Sequence, residues 1–197
     1  MDDEPLYQDY VIKDGTFVGQ FEKMYQMCDD PWHQAKKGYV ENSISRQVAC
    51  TFIDMFEITS LVEFGCGLGH TTKLIYDRTN IDIIGIDISE TSIDRSRKNY
   101  PDLNFEVNNI GNIIDYSSYQ CFFFSEITWY ILEDRMIDQI FDNAKEHLKG
   151  KYFLHNLVFY KGQQKYGRNY FTTLDEFIEF CPFQLLGKVE IDLEKAD

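Results

Sequence analysis

SLVEFGCGLGHTTKLIYDRTNIDIIGIDI, residues 60–88, is the stretch whose reading decides the fold. Ser60–Phe64 is a short apolar run broken by a single acid, Glu63. Gly65, Gly67 and Gly69 follow at alternate positions, and His70 to about Arg78 has the composition of a helix. Ile81–Ile86 is a second apolar run, ended by Asp87. The order strand, glycine turn, helix, strand predicts a βαβ unit. Glycine suits such a turn because a side chain would block the close approach of a ligand to the backbone. The helix start beyond it offers free N–H groups and the positive end of the helix dipole. Asp87, about 20 residues past the turn at a strand tip, is placed to hold both hydroxyls of a ribose. The unit therefore reads as a nucleoside-binding half.

The glycine spacing separates the nucleosides. A dinucleotide fingerprint is G-x-G-x-x-G, and its third glycine would fall at His70. Here the pattern is E-x-G-x-G-x-G, running from Glu63 to Gly69, with an acid at the end of the next strand. It resembles motif I and the following acidic motif of class I S-adenosylmethionine (SAM) methyltransferases; a glycine turn in another α/β protein is the alternative. The resemblance implies a Rossmann-like, doubly wound, mostly parallel sheet with helices on both faces, and SAM as cofactor. It assigns the cofactor to Glu63, Gly65, Cys66, Gly67, Gly69, Thr71 and Asp87. It sets Ile88 and Ile110 beside the adenine ring, with Asn109 where the family commonly has an aspartate, and Ser125 at the next strand tip. Arg46 and Tyr39, around the start of the preceding helix, become candidates for the carboxylate of the methionine end, a role that suits the guanidinium fork.

Length and charge narrow the rest. At 197 residues one domain is expected, with residues 1–41 as an N-terminal arm and helical, aromatic cap and residues 42–197 as the cofactor domain. The net charge of −14, from 19 Lys+Arg against 33 Asp+Glu, repels polyanions, so nucleic acid and anionic membranes are not expected partners. Five cysteines, at 28, 50, 66, 121 and 181, are odd in number and lack C-x-x-C spacing, which points to reduced thiols, no metal site and a cytoplasmic protein. A secretory signal pattern and an apolar run of membrane length are both missing from the sequence.

Around the decisive stretch, Tyr10–Lys13 and Thr16–Val18 flank Asp14–Gly15 as a small hairpin. Phe21–Lys37 gathers Tyr25, Trp32 and His33 around an Asp-Asp-Pro turn, as a lid packed by its own aromatics, as a cap that closes over the cofactor or contributes to the acceptor pocket, or as both. Its D-P-W-H-Q resembles a bacterial subgroup of small class I enzymes related to nodulation-type N-methyltransferases and surface-polysaccharide methyltransferases. Asn42–Phe56 has helical periodicity through Ile44, Val48, Phe52 and Phe56, with Arg46 off that stripe, where an arginine is usually a solvated surface residue. Glu90–Asn99 is a polar helix, Asn104–Val107 a third strand and Gln120–Phe124 a fourth. Ser125–Tyr130 resembles motif IV, near the transferred methyl, where Glu126 is either a helix-start acid or a catalytic one. Trp129 and Tyr130 either wall an acceptor pocket or pack beneath it. Met136–Leu148 is an amphipathic helix and Tyr152–Phe159 a fifth strand bearing His155 and Asn156. Thr173–Glu176 is a capping box, and Gln184–Leu193 reads as a sixth strand, short of the family's usual seven.

The function implied is methyl transfer to O or N of a small or carbohydrate-type acceptor. A hydroxyl acceptor needs a base, for which His155, with an unperturbed pKa of about 6.5, Glu126 and His33 are candidates, with Trp32, Trp129, Tyr130 and Asn156 around the substrate. Two other readings stay open. A catalytically silent SAM-binding partner would bind cofactor without turnover, and a nucleotide-dependent oxidoreductase would bind a dinucleotide instead.

Overall fold

A computed structural model describes residues 7–160 and 162–191. Five parallel strands form the central sheet: β3 (Ser60–Phe64), β4 (Asp82–Asp87), β5 (Asn104–Val107), β6 (Cys121–Ser125) and β7 (Tyr152–Asn156). Before them, a two-residue hairpin pairs β1 (Ile12–Lys13) with β2 (Thr16–Phe17) across Asp14–Gly15. The helices are α1 (Phe21–Met27), α2 (Ile44–Met55), α3 (His70–Thr79), α4 (Glu90–Asn99), α5 (Met136–His147) and α6 (Leu174–Phe180).

The sheet order is β5-β4-β3-β6-β7. The chain runs outward from β3 to β5, returns to the other side of β3 at β6, and continues outward to β7. That reversal opens a crevice at the carboxyl ends of β3 and β6, where ligands sit in open α/β sheets. The register ties Phe64 to Ile86 on one side and to Phe124 on the other, so the glycine turn and Ser125–Glu126 emerge side by side.

Both faces are filled by the alternation of strand side chains. Leu61, Ile83, Cys121 and Phe123 pack with Ala49, Ile53 and Ile75 of α2 and α3. Val62, Phe64, Phe122 and Phe124 face the other way, against Ile137, Ile140, Phe141 and Ala144 of α5. Phe122 stacks between Phe64 and Phe153, with ring centroids 6.4 and 5.3 Å away. The doubly wound, parallel fold with helices on both faces is therefore the one expected.

Two strand expectations need correction. The fifth strand ends at Asn156, not Phe159, because its last paired position is opposite Ser125, where β6 itself ends. Residues 184–191 of the expected sixth strand form no strand, and residues 192–193 lie outside the described ones. Phe183 is instead pulled flat onto Phe153, at 4.1 Å between centroids, and the segment beyond it leaves Leu185, Leu186, Val189 and Ile191 exposed. The outer edge of β7 is thus bordered by a groove of about 820 Å³ whose lining includes Phe52, Phe153, Phe183 and Leu186 together with Ser45 and Asn156. No residue of the glycine turn lines it. Among the described residues no helix is long and apolar enough to cross a membrane, and no His/Cys/Asp/Glu group could hold a metal ion.

Candidate functional site

The glycine turn is fastened to the neighbouring strand. The N–H groups of Gly65 and Cys66 both donate to the Ile86 carbonyl, at 2.7 and 3.0 Å. Gly65 and Gly67 adopt φ of +73° and +55°, where a Cβ is strained. Space forbids a side chain as well: a Cβ on Gly65 would meet Ile127 Cγ2 at 2.1 Å, and one on Gly67 would meet the Tyr25 hydroxyl at 2.6 Å.

Asp87 ends β4 beside this turn. Its Oδ2 accepts from Gly67 N and its Oδ1 from Ser89 N, both at 2.9 Å. Burial pushes its carboxyl above the ordinary range, and the backbone hydrogen bonds pull against that shift. Each oxygen keeps a second lone pair for a further donor.

Glu63 sits one layer deeper, buried in β3, and accepts from Thr72 Oγ1 at 2.6 Å. Burial raises its pKa to about 7, against the opposing pull of Thr72 and of the nearby Arg46 charge. The consequence for stability has a definite sign. Between pH 4.5 and about 7 the unfolded chain releases this proton while the folded protein retains it, so stability falls as pH rises through that window. Glu63→Gln removes this contribution. The variant is expected to gain about 3 kcal/mol relative to wild type across that window and to hold a constant difference above it, as read by urea unfolding at a series of pH values.

Arg46 is placed differently from its sequence pattern. It is buried, not solvated, and its Nε donates to Thr71 Oγ1 at 2.7 Å, bringing α2 to the start of α3. Cys66 is buried too, and burial pushes its thiol well up. Around the crevice, Ile88 is 56% exposed, while Ile110 is half-buried against the main core. Asn109 Oδ1 already accepts from Gly111 N at 2.8 Å, using one of its two lone pairs. Ser125 is half-buried, and Tyr39 is exposed on the cap.

A second polar group forms at the tips of β6 and β7. Glu126 takes a left-handed backbone, φ +60°, and its N–H donates to the Asn156 carbonyl at 2.8 Å. The Asn156 amide donates to Ser45 Oγ at 3.1 Å and lies 3.5 Å from Glu126 Oε1. Trp129 packs under this edge: it is buried, donates to the Val158 carbonyl at 3.1 Å and lies 5.0 Å from the Phe171 ring. Tyr130 lies between the rings of Phe21 and Trp32 of the cap, at 5.3 and 6.0 Å.

The base candidates separate. His33 is exposed on the cap, at φ +54°. His155 is displaced from the role the sequence offered it. Its ring lies 4.8, 5.1 and 6.1 Å from those of Phe124, Phe177 and Phe141. Both its nitrogens are buried without a hydrogen-bond partner, and burial drives its pKa down to about 3. This is a core side chain on the α5 face of the sheet. His155→Leu is expected to leave turnover at the wild-type level and stability within about 1.5 kcal/mol, because it removes two unsatisfied polar atoms from an apolar site. Thermal melts and an S-adenosylhomocysteine release assay check both halves.

Two contacts at this place were not foreseen in the sequence, one by Tyr25, marked only as part of the lid, and one by Ser45, not marked at all. Tyr25 is buried over Gly67, with its hydroxyl accepting from Trp32 Nε1 at 2.9 Å. Ser45, on the first turn of α2, holds Asn156 from 111 residues away. No local pattern reports either contact.

Comparisons with known proteins bear on this geometry. Residues 61–151 match the family model described as "Methyltransferase domain". They run from β3 to the residue before β7 and so contain both the glycine turn and Glu126. Among solved structures, DesVI of Streptomyces venezuelae aligns at 16% identity and TM-score 0.51, over 64% of this chain and 56% of its own. The bifunctional kinase-methyltransferase WbdD aligns at 18% and 0.54, over 75% of this chain and 35% of its own. The plantazolicin methyltransferase BpumL, solved in complex with a pentazolic desmethylPZN analogue and S-adenosylhomocysteine, aligns at 16% and 0.52, over 80% of this chain and 62% of its own. This chain thus spans about half the length of DesVI and about a third of WbdD. The fold is a Rossmann-like methyltransferase fold. A comparison with curated proteins gave no significant match.

Proposed function

We propose that the protein is a SAM-dependent methyltransferase acting on O or N of a small or carbohydrate-type acceptor. The observation that carries this reading is the glycine turn hydrogen-bonded to the end of β4, with the Asp87 carboxylate seated on Gly67 N beside the sheet's switch point. The donor set fits the group. Asp87 has lone pairs left for the two ribose hydroxyls. The glycine turn has no Cβ to block a close approach. Ile88 offers an exposed apolar side chain to a base, and Asn109 keeps a lone pair and an amide N–H₂ for its edge. Arg46 is a buried cation near Thr71, suited to an amino-acid carboxylate.

Bound SAM supplies a methyl group activated by a sulfonium. The chain's own residues position, enclose and deprotonate. Glu126, at the β6 tip and steadied by Asn156 and Ser45, is the carboxylate placed to take a proton from an acceptor amine or hydroxyl. With His155 in the core, Glu126 is the first candidate for this work, and Asn156 borders the same place. Trp32 and Tyr130 form the cap side of the acceptor pocket, with Trp129 behind them. The acidic surface favours a small or carbohydrate-type acceptor over nucleic acid. The resemblance of D-P-W-H-Q to a bacterial subgroup that includes nodulation-type N-methyltransferases and surface-polysaccharide methyltransferases supports a role of this kind, in the cytoplasm.

Methyl-labelled SAM, incubated with matched amine and hydroxyl sugars, tests the proposal. Label transfer with release of S-adenosylhomocysteine above the acceptor-free rate supports an enzyme. Cofactor binding with no transfer to any acceptor favours the silent binding partner.

A further inference from the structure

The N-terminal cap is held to α4 by charged contacts at two points. At one, the Glu22 carboxylate of α1 accepts from Ser89 Oγ at 2.7 Å, from Thr91 N at 3.2 Å and from Thr91 Oγ1 at 2.5 Å. Gln26 Nε2 donates to it as well, at 2.8 Å. A carboxylate at this place meets the free N–H groups and positive dipole of the start of α4, a ten-residue helix. At the other, Arg95 Nη1 donates to the carbonyls of Cys28 and Asp29, at 2.9 and 3.3 Å, where α1 ends.

These contacts are wired to the nucleoside site. Ser89 donates its N–H to Asp87 and its hydroxyl to Glu22, so one residue joins the two carboxylates. Between the two anchor points α1 carries Tyr25, whose hydroxyl stands against Gly67. Tyr25 and Asp87 are both buried, with the cap closed over the groups that face a ribose. Any lifting of α1 away from Asp87 breaks the Glu22 hydrogen bonds to Ser89 and Thr91.

We propose that Glu22 is the latch of a gate: by binding Ser89 and Thr91 at the start of α4 it holds α1 and Tyr25 over Asp87 and thereby sets the rate of cofactor exchange. The proposal rests on the reading of this site as the SAM site. It adds a function for a residue outside every motif, acting through another residue and not on the cofactor itself. A latch on a gate slows passage in both directions, whereas a residue needed only for folding changes stability and affinity without speeding association.

The test is stopped-flow binding of S-adenosylhomocysteine to the full chain, followed by the fluorescence of Trp32 in the cap, with wild type, Glu22→Ala and Glu22→Gln. In Glu22→Ala both association and dissociation are expected to quicken by about tenfold, the scale of losing hydrogen bonds to a charged group, with a much smaller change in Kd. Glu22→Gln, which keeps one acceptor oxygen and the side-chain length, should fall between. Amide exchange of residues 21–27 and 89–92 in the unliganded proteins should rise in the same order. Unchanged rates and unchanged exchange in both variants, with wild type binding normally, overturn the latch. A slower or equal association with lower affinity and a lowered melting temperature makes Glu22 merely structural, and also overturns it. Wild type that binds no S-adenosylhomocysteine at all defeats the cofactor reading first, and the gate falls with it.

Discussion

Asp87→Ala will bind S-adenosylhomocysteine about 10- to 150-fold more weakly than wild type, a loss of about 1.5–3 kcal/mol, the range for hydrogen bonds to a charged group. Asp87 is buried, and its pKa is raised by that burial, so the charge is kept where the fold alone would disfavour it. Its two backbone partners, Gly67 N and Ser89 N, consume one lone pair on each oxygen and fix the direction of the others. A neutral side chain of the same shape separates binding from folding. Asp87→Asn keeps an oxygen for one of the two amides and retains the fold, yet loses the negative charge that draws two hydroxyl donors. Both variants should show the affinity loss in a calorimetric titration, whereas Asp87→Ala, which orphans both amides, should lose more stability than Asp87→Asn, which orphans one. Unchanged affinity in both would remove Asp87 from the ribose.

Gly65→Ala is expected to destabilise the protein by about 3 kcal/mol or more, from about 1–2 for a non-glycine residue in the left-handed region and about 1–3 for overpacking. The second part is specific to this turn, because the new Cβ would lie 2.1 Å from Ile127 Cγ2, itself fixed between Glu126 and the buried Thr128. Gly150→Ala is the matched control. It shares the left-handed φ, +78°, but has no atom within 4 Å of the added Cβ, so only the conformational cost of about 1–2 kcal/mol remains. Urea unfolding of the two variants separates strain from crowding. Equal losses would show that Ile127 yields freely and that the turn and the β6 tip are not packed as a unit.

The βαβ core was legible because everything that specifies it is local. Alternating glycines, two apolar runs and a terminal acid lie within one stretch of 29 residues, and the strands from Ser60 to Val107 appear where the apolar pattern predicts them. The parts that were not legible depend on contacts distant in sequence. Arg46 looked solvated because its helix stripe excludes it, yet Thr71, 25 residues on, draws it inside. The clasp of Glu22 on Ser89 and Thr91 spans 67 and 69 residues, and Ser45 meets Asn156 across 111. His155 misled for a related reason: its chemistry qualifies it as a base, but strand alternation turns it toward Phe141 and Phe177. The expected sixth strand failed because β-type composition in residues 184–191 does not create a partner, and Phe183 found a better one in Phe153.

The central claim is that the glycine turn and Asp87 hold a sulfur nucleoside and not a dinucleotide. Calorimetric titration of the purified chain with SAM, S-adenosylhomocysteine and NAD(H) tests it most directly. Saturable binding of SAM and S-adenosylhomocysteine, with no heat from NAD(H), is the predicted result. Binding of NAD(H) instead, or of none of the three, would contradict the account.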